Sequence, residues 1–424
     1  MAQSEARGRH LIDAGLRFQH GSGWLARTVS GGVDRIVAAI DAGLRTGTVV
    51  ARLPDGSTMA LGGRAPGFHA RIHIKDWRAL IRLATGGSVG WYRAWEAGEW
   101  DSPDPVPIFA LFMANADALG ELGRAKGPWR WVSRLAHAAN RNTLRGARAN
   151  IAAHYDLGND FYAAWLDPTL SYSSGLFTRA GLSLEQAQRE KVRALADRLN
   201  LSKGDEVLEI GCGWGFLART LANDHAADVT AISLSDEQLD HARAANARDA
   251  RPVDFRKQDY RDTDGRYDAI VSVEMAEALG REYWPTYMDC MARCLKPGGR
   301  AAIQYISMRD DLFDAYAKSA DFIQTFIFPG GLLIRTSEFR RLAEERGLEW
   351  RDQRDFGIDY AETLKLWRER FDRAAAEGKL PRGFDARFIG LWRFYLMYCE
   401  GGFRGGGIDV HQVTLVKPAQ SLPA

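Results

Sequence analysis

The chain has 424 residues, 26% of them charged and 46% hydrophobic. That is the balance of a globular protein of two or three domains, and it excludes both a disordered chain and a disulfide-stapled mini-protein. The net charge of +2 asks for no polyanionic partner, so nucleic acid is not expected and any basic surface must be local. Cys212, Cys290, Cys294 and Cys399 form no C-x-x-C pair and have no histidine at ligand spacing. We therefore expect reduced thiols, no metal and a cytoplasmic setting. The N-terminal residues carry early acids and no apolar core, so no secretory leader is read. No run approaches the roughly 18 to 20 apolar residues that span a bilayer, so contact with a membrane would be peripheral, from its inner face.

In chain order, Thr46 to Gly63 predicts a hairpin about a Pro-Asp-Gly turn. RIHIKDW from Arg71 alternates like a strand, and ALIRLATGG predicts a short helix stopped by Gly86 and Gly87. Residues 1–121 are thus expected to be a small α+β domain. Residues 122–150 follow as a basic linker. From Leu122 to Tyr155 there are seven Lys or Arg (Arg124, Lys126, Arg130, Arg134, Arg141, Arg145 and Arg148), no acid, and interleaved Trp129 and Trp131. A solvated linker and a membrane-interfacial segment fit this pattern about equally, each basic group near an anionic surface contributing about 1 kcal/mol in the second case.

Residues 151–424 alternate strand and helix patterns: DEVLEIG, ADVTAISLS, PVDFRKQD, YDAIVSVEM and GRAAIQYIS with helices between. Short apolar strands so spaced predict an α/β fold with a parallel sheet wound on both faces. EVLEIGCGWG brings Gly211, Gly213 and Gly215 directly after a buried strand and before a helix, where glycines admit a ligand to the backbone and to free helix N–H groups. With Glu209 at the strand's end, the loop resembles the S-adenosylmethionine loop of the seven-stranded, Rossmann-like class I methyltransferases. Ser233 and Gln238 after the second strand suit the ribose. Gln258, Asp259 and Tyr260 after the third suit the adenine, although each alone is more often a cap or turn residue.

HYDLGNDFYAAWLDPTLSYSSGLF from His154, EMAEALG from Glu274, FIFPGG from Phe326 and YCEGGFRGG from Tyr398 are longer and more specific. Over about residues 151 to 417 the chain resembles the cyclopropane fatty acyl phospholipid synthases and the related mycolic acid methyltransferases. The N-terminal domain resembles, more weakly, the sterol-carrier-like domain that precedes catalysis in longer members. The resemblance implies methyl transfer from S-adenosylmethionine to the double bond of unsaturated acyl chains of membrane phospholipid, giving a cyclopropane or a methyl-branched chain. It also implies a bicarbonate that removes the final proton, held by a glutamate, a histidine, a cysteine, a tyrosine and backbone groups. Glu277 matches the glutamate and Tyr395 the tyrosine, while Ser174 stands at the cysteine position and Gln304 at the histidine position. Tyr172 and Ser173 match positions at the cofactor's methionine end. With Ser and Gln in the anion site, ring and branch both stay open as products.

Aromatic faces suited to a cationic chain are offered by Tyr172, Phe177, Tyr305, Trp367, Trp392, Phe394 and Tyr395, with core packing the commoner fate of each. Residues 307–336, carrying Phe322, Phe326 and Phe328 before Pro-Gly-Gly, read as a lid insertion, or equally as a helical core stripe. A same-fold methyltransferase of a soluble small molecule and a non-catalytic lipid-binding protein are the competing readings. The resemblance leaves a homodimer open.

Overall fold

The computed structural model describes residues 7–14, 30–119, 157–319 and 321–419, so the basic segment at 122–150 lies outside the described residues. The chain forms two compact units. One comprises Met1–Arg141, Asp311–Pro329 and Arg382–Ile408, the other Asn142–Asp310, Gly330–Pro381 and Asp409–Ala424. Among the described residues no helix is long and apolar enough to cross a membrane.

In the first unit, β1 (Thr48–Arg52) and β2 (Thr58–Gly62) make the expected antiparallel hairpin. β3 (His69–Ile74) pairs parallel to β1, and β4 (Trp100–Asp101) closes the four-stranded sheet. The helix after β3 starts at Arg78 and breaks at Gly87 (φ 57°, ψ −140°), where the two glycines predict its stop, and a second helix continues from there to Glu96. Gly90 lets the two approach closely, since a Cβ there would lie 2.0 Å from the Arg82 carbonyl oxygen. Helix Ala386–Arg404 presses Gly401 and Gly405 against helix Val106–Ala114, where a Cβ on Gly401 would meet Phe109 Cβ at 2.3 Å. Phe322 and Phe326, at the middle of the expected lid, join Tyr92 and Phe394 in an aromatic cluster with centroid separations of 4.8 to 5.5 Å. Both rings are buried in the first unit. Asp321 is pinned by Ser88 Oγ and the Tyr398 hydroxyl, both donating at 2.7 Å.

The second unit carries a seven-stranded sheet in the order β10-β11-β9-β8-β5-β6-β7. β5 (Glu206–Ile210), β6 (Asp228–Ser233), β7 (Asp254–Lys257), β8 (Tyr267–Val273) and β9 (Leu295–Met308) are parallel. The sheet is mixed rather than wholly parallel, because β10 (Glu349–Asp355) runs antiparallel to β11 (Ile408–Val416). β5 is buried after its first residue, and Leu208 and Ile270 are fully covered, as a strand with helices on both faces must be. The chain leaves β5 for β6 and β7 on one side and for β8 and β9 on the other. The crevice at the carboxyl ends of β5 and β8 is therefore the switch point at which open α/β sheets bind ligands.

Helix Leu184–Leu199 lies against the sheet and delivers Gln188 and Lys191, both buried, toward that crevice. It starts with a capping box in which Ser183 accepts from the Gln186 N–H and the Gln186 side chain accepts from the Ser183 N–H. Ser183→Ala is expected to cost about 1 kcal/mol, read as a lowered Tm, without altering the fold.

Candidate functional site

A cavity opens at the switch point, lined by the glycine loop, Tyr172, Ser173, Lys191, the ends of β6 and β7, and Glu274, Met275, Ala278 and Leu279. The backbone makes room for it. Gly213 has φ 52° and nothing within 4 Å of where a Cβ would stand, whereas a Cβ on Gly215 would strike Ala242 and Phe255 at 2.8 to 2.9 Å. Gly213 thus leaves a cradle for a ligand, and Gly215 lets helix Phe216–His225 close onto the sheet. Of the residues expected at the cofactor, Tyr172, Ser173, Glu209, Gly211, Gly213, Ser233, Gln238, Asp259 and Tyr260 line the cavity, while Gly215 caps the helix behind it.

Glu209 ends β5 with a buried carboxylate. The Ala218 N–H donates to it, yet Oε2 has no partner among the described residues. Burial pushes its carboxyl up to about 8, against the pull of the Ala218 N–H and Lys191. Lys191 donates to Ser173 Oγ at 2.7 Å. Burial draws its ammonium down to about 8, opposed by the charges of Glu274, Asp167 and Glu209. Ser233 Oγ donates to Gln238 Oε1 at 3.3 Å, and Asp259 is held by Arg261 at 2.6 Å. An unpaired buried carboxylate beside a lysine fits the amino-acid end of S-adenosylmethionine, and paired polar groups at the next two strand ends fit its nucleoside.

Deeper along β8 sits a knot that the sequence did not single out. Glu274 Oε1 accepts from the Ser174 N–H (2.9 Å) and from Gln304 Nε2 (2.8 Å), and Oε2 accepts from the Tyr360 hydroxyl (2.8 Å). Gln304 is itself oriented, because Gln412 Nε2 donates to its Oε1 at 3.0 Å. Glu274 has φ 48°, a left-handed conformation that costs a residue with a Cβ about 1 to 2 kcal/mol. Burial raises its carboxyl above the usual range, and the three donors together with Lys191 lower it again.

Glu277 lies one turn on. Its Oε1 accepts from the Ile306 N–H and its Oε2 has no partner among the described residues. Burial first, and then the charge of Glu274, push it up to about 8. Ser174 and Gln304 thus both meet Glu274, and Glu277 lies within reach of its charge. Tyr395 belongs to the first unit, where its ring packs on Trp392 at 5.3 Å and Phe328 at 6.3 Å. The tyrosine hydroxyl in the knot is that of Tyr360. Behind the cavity Tyr172 packs on Tyr162, Trp165 and Trp367 at 5.3 to 5.8 Å, while Tyr305 is spent on Phe339 and His411. The Ser174 N–H and the Gln304 amide, two donors that a bicarbonate would need, both point to Glu274 Oε1, so the pair fits a built-in carboxylate better than an added anion.

The doubly wound sheet, the glycine loop and the orphaned carboxylate define an S-adenosylmethionine-dependent methyltransferase. Residues 142–413 match the family model for mycolic acid cyclopropane synthetase, and the chain belongs to that family of cyclopropane fatty acid synthases. It is 38% identical over 372 residues to the tuberculostearic acid methyltransferase UfaA1 of Mycobacterium tuberculosis, covering 85% of this chain and 86% of the relative. It is 32% identical to the cyclopropane-fatty-acyl-phospholipid synthase of Escherichia coli, over 86% and 91% of the two chains. Among solved structures, the cyclopropane synthase MmaA2 from M. tuberculosis aligns with a TM-score of 0.59 at 28% identity, covering 64% of this chain and 98% of that one.

A carboxyl raised in the folded state keeps a proton that the unfolded chain gives up. Between about 4.5 and 8, native stability therefore falls as pH rises. Glu277→Gln is expected to flatten that fall by up to about 1.4 kcal/mol per pH unit, checked by urea unfolding across the range.

Proposed function

We propose that this enzyme transfers a methyl group from S-adenosylmethionine to a double bond in unsaturated acyl chains of membrane phospholipid, giving a cyclopropane or methyl-branched chain. The observation that carries the reading is the pairing of an aromatic wall with buried carboxylates at one cavity. An alkene has no proton to lose before it attacks, so no base is needed at that stage. After attack it carries a positive charge, which ring faces stabilise without bonding to it, and a proton that a carboxylate must take. The relatives support the substrate class, one being a synthase of cyclopropane fatty acyl phospholipid and the other a tuberculostearic acid methyltransferase.

When bound, S-adenosylmethionine supplies the electrophilic methyl. Glu209 Oε2 receives its ammonium, Lys191 and Ser173 receive its carboxylate with Tyr172 alongside, Ser233 and Gln238 hold the ribose, and Asp259 and Tyr260 frame the adenine. Tyr172 faces the developing charge, with Trp367 packed behind it. Ser174, Gln304 and Tyr360 hold Glu274 in place, and the Ile306 N–H holds Glu277. Residues 1–121 serve as the lipid-side domain, and the basic segment at 122–150, with Trp129 and Trp131, rests on anionic headgroups at the cytoplasmic face of the membrane.

Incubation of the protein with methyl-labelled S-adenosylmethionine and vesicles of monounsaturated phospholipid is expected to place one labelled carbon per modified chain. Fragmentation mass spectrometry then separates ring from branch. Label that never enters lipid but appears on a soluble acceptor would overturn the reading.

A further inference from the structure

We propose that Glu274 is the general base of this reaction, its own carboxylate taking the proton that a bound bicarbonate would otherwise remove. The inference rests on the acyl-methylation reading above. It begins from hydrogen-bond accounting. An ionised carboxylate offers about four acceptor sites, and Glu274 uses two on Oε1, from Ser174 and Gln304, and one on Oε2, from Tyr360. Among the described residues Oε2 therefore keeps a lone pair, while the residue lines the cofactor cavity. The donors that would fix a small anion here are already fixing this one.

Charge points the same way. A bicarbonate added beside the Glu274 carboxylate would be a second negative group in a site where Lys191 is the cation that acts on Glu274, and like charges at such separations in a poorly solvated pocket repel strongly. The backbone adds an independent sign. Position 274 has φ 48°, where glycine sits without strain, and yet it carries a side chain that ends in a held carboxylate. Strain of this kind persists where the surrounding structure enforces a functional position. Burial, which raises the Glu274 carboxyl, also makes it a better proton acceptor than a solvated acid.

The step balances as follows. The alkene π pair forms a carbon–carbon bond to the sulfonium methyl as the sulfur–carbon bond breaks, its electron pair staying on sulfur, and the positive charge moves to the other alkene carbon. Glu274 Oε2 then takes a proton. If it comes from the added methyl, the freed C–H pair closes the ring; if from a neighbouring chain carbon, the pair forms a double bond. Glu274 ends as the neutral acid and gives its proton to water when the products leave.

The test uses the full chain, labelled S-adenosylmethionine and monounsaturated phospholipid vesicles in buffer purged of carbon dioxide. Wild-type turnover is expected within twofold of that measured with added bicarbonate. Glu274→Gly, which relieves the strained backbone, and Glu274→Gln, which keeps the shape, are each expected to lose at least a hundredfold in turnover. Their affinity for S-adenosylhomocysteine, read by calorimetry, should stay within a few fold, and formate or bicarbonate should restore part of the Glu274→Gly activity. A wild type that methylates lipid only with bicarbonate, or either variant within tenfold of wild type in its absence, overturns the base while leaving acyl methylation intact. A wild type that methylates no lipid under either condition overturns the reading, and the base with it.

Discussion

Three carboxylates and one ammonium sit at the carboxyl ends of two adjacent strands, and the rest of the second unit is arranged around keeping them there. Glu209 ends β5, Glu274 follows β8, Glu277 lies in the turn beyond it, and Lys191 reaches in from the helix behind. Charges taken out of water are costly unless each is paired or protonated. The sheet meets that cost with neutral donors: the Ser174 and Ile306 N–H groups, the Gln304 amide and the Tyr360 hydroxyl. These come from the entry segment, β9 and a helix after β10, so the cluster exists only when distant parts of the unit have assembled. Burial raises all three acids and lowers the lysine, so the site trades stability for groups that exchange protons near neutral pH.

The topology explains why the acids meet. β5 and β8 are neighbours in the sheet but are separated in the chain by β6 and β7. Their ends diverge into different loops and leave a crevice. The glycine loop lines one side of it, and Glu274, Met275, Ala278 and Leu279 the other. A ligand lying in that crevice has Glu209 on one side and Glu274 on the other. The strand order alone thus brings two acids from different strand ends to one cavity.

The β-α-β run from Glu206 to Met308 was readable in the sequence because buried parallel strands are apolar runs and the glycines punctuate them. β10 was not, since EWRDQRD is mostly exposed and carries almost no apolar signal, and without it the antiparallel edge is invisible. The break at Gly87 was readable because paired glycines end a helix, but the second helix that follows to Glu96 was not, since it depends on the close backbone approach that Gly90 allows. In the site, the glycine loop and Glu277 stood out by motif. Glu274 did not, since it opens the same short motif as Glu277 and nothing in its spacing marks a carboxylate with three donors. Tyr360 and Tyr395 are both tyrosines on late helices. Only the fold shows that the first one's hydroxyl meets Glu274 while the second packs among Trp392 and Phe328.

The glutamine at 304 makes sense in these terms. A histidine beside a buried carboxylate would hold a positive charge and compete for the proton that the carboxylate must collect. An amide cannot ionise, and Gln412, itself within reach of Arg198 Nε at 3.4 Å, fixes which end of it faces Glu274. The carboxylate is then positioned by donors that stay donors whether it is charged or neutral. The strength of those bonds changes with its charge, being greater for the anion. Ser174 contributes through its backbone N–H, and its hydroxyl donates to the Gly175 carbonyl at 2.9 Å, so the side chain at that position is spared from the anion altogether. With Glu274 as the proposed base, Ser174 and Gln304 supply the neutral donors that a built-in carboxylate requires.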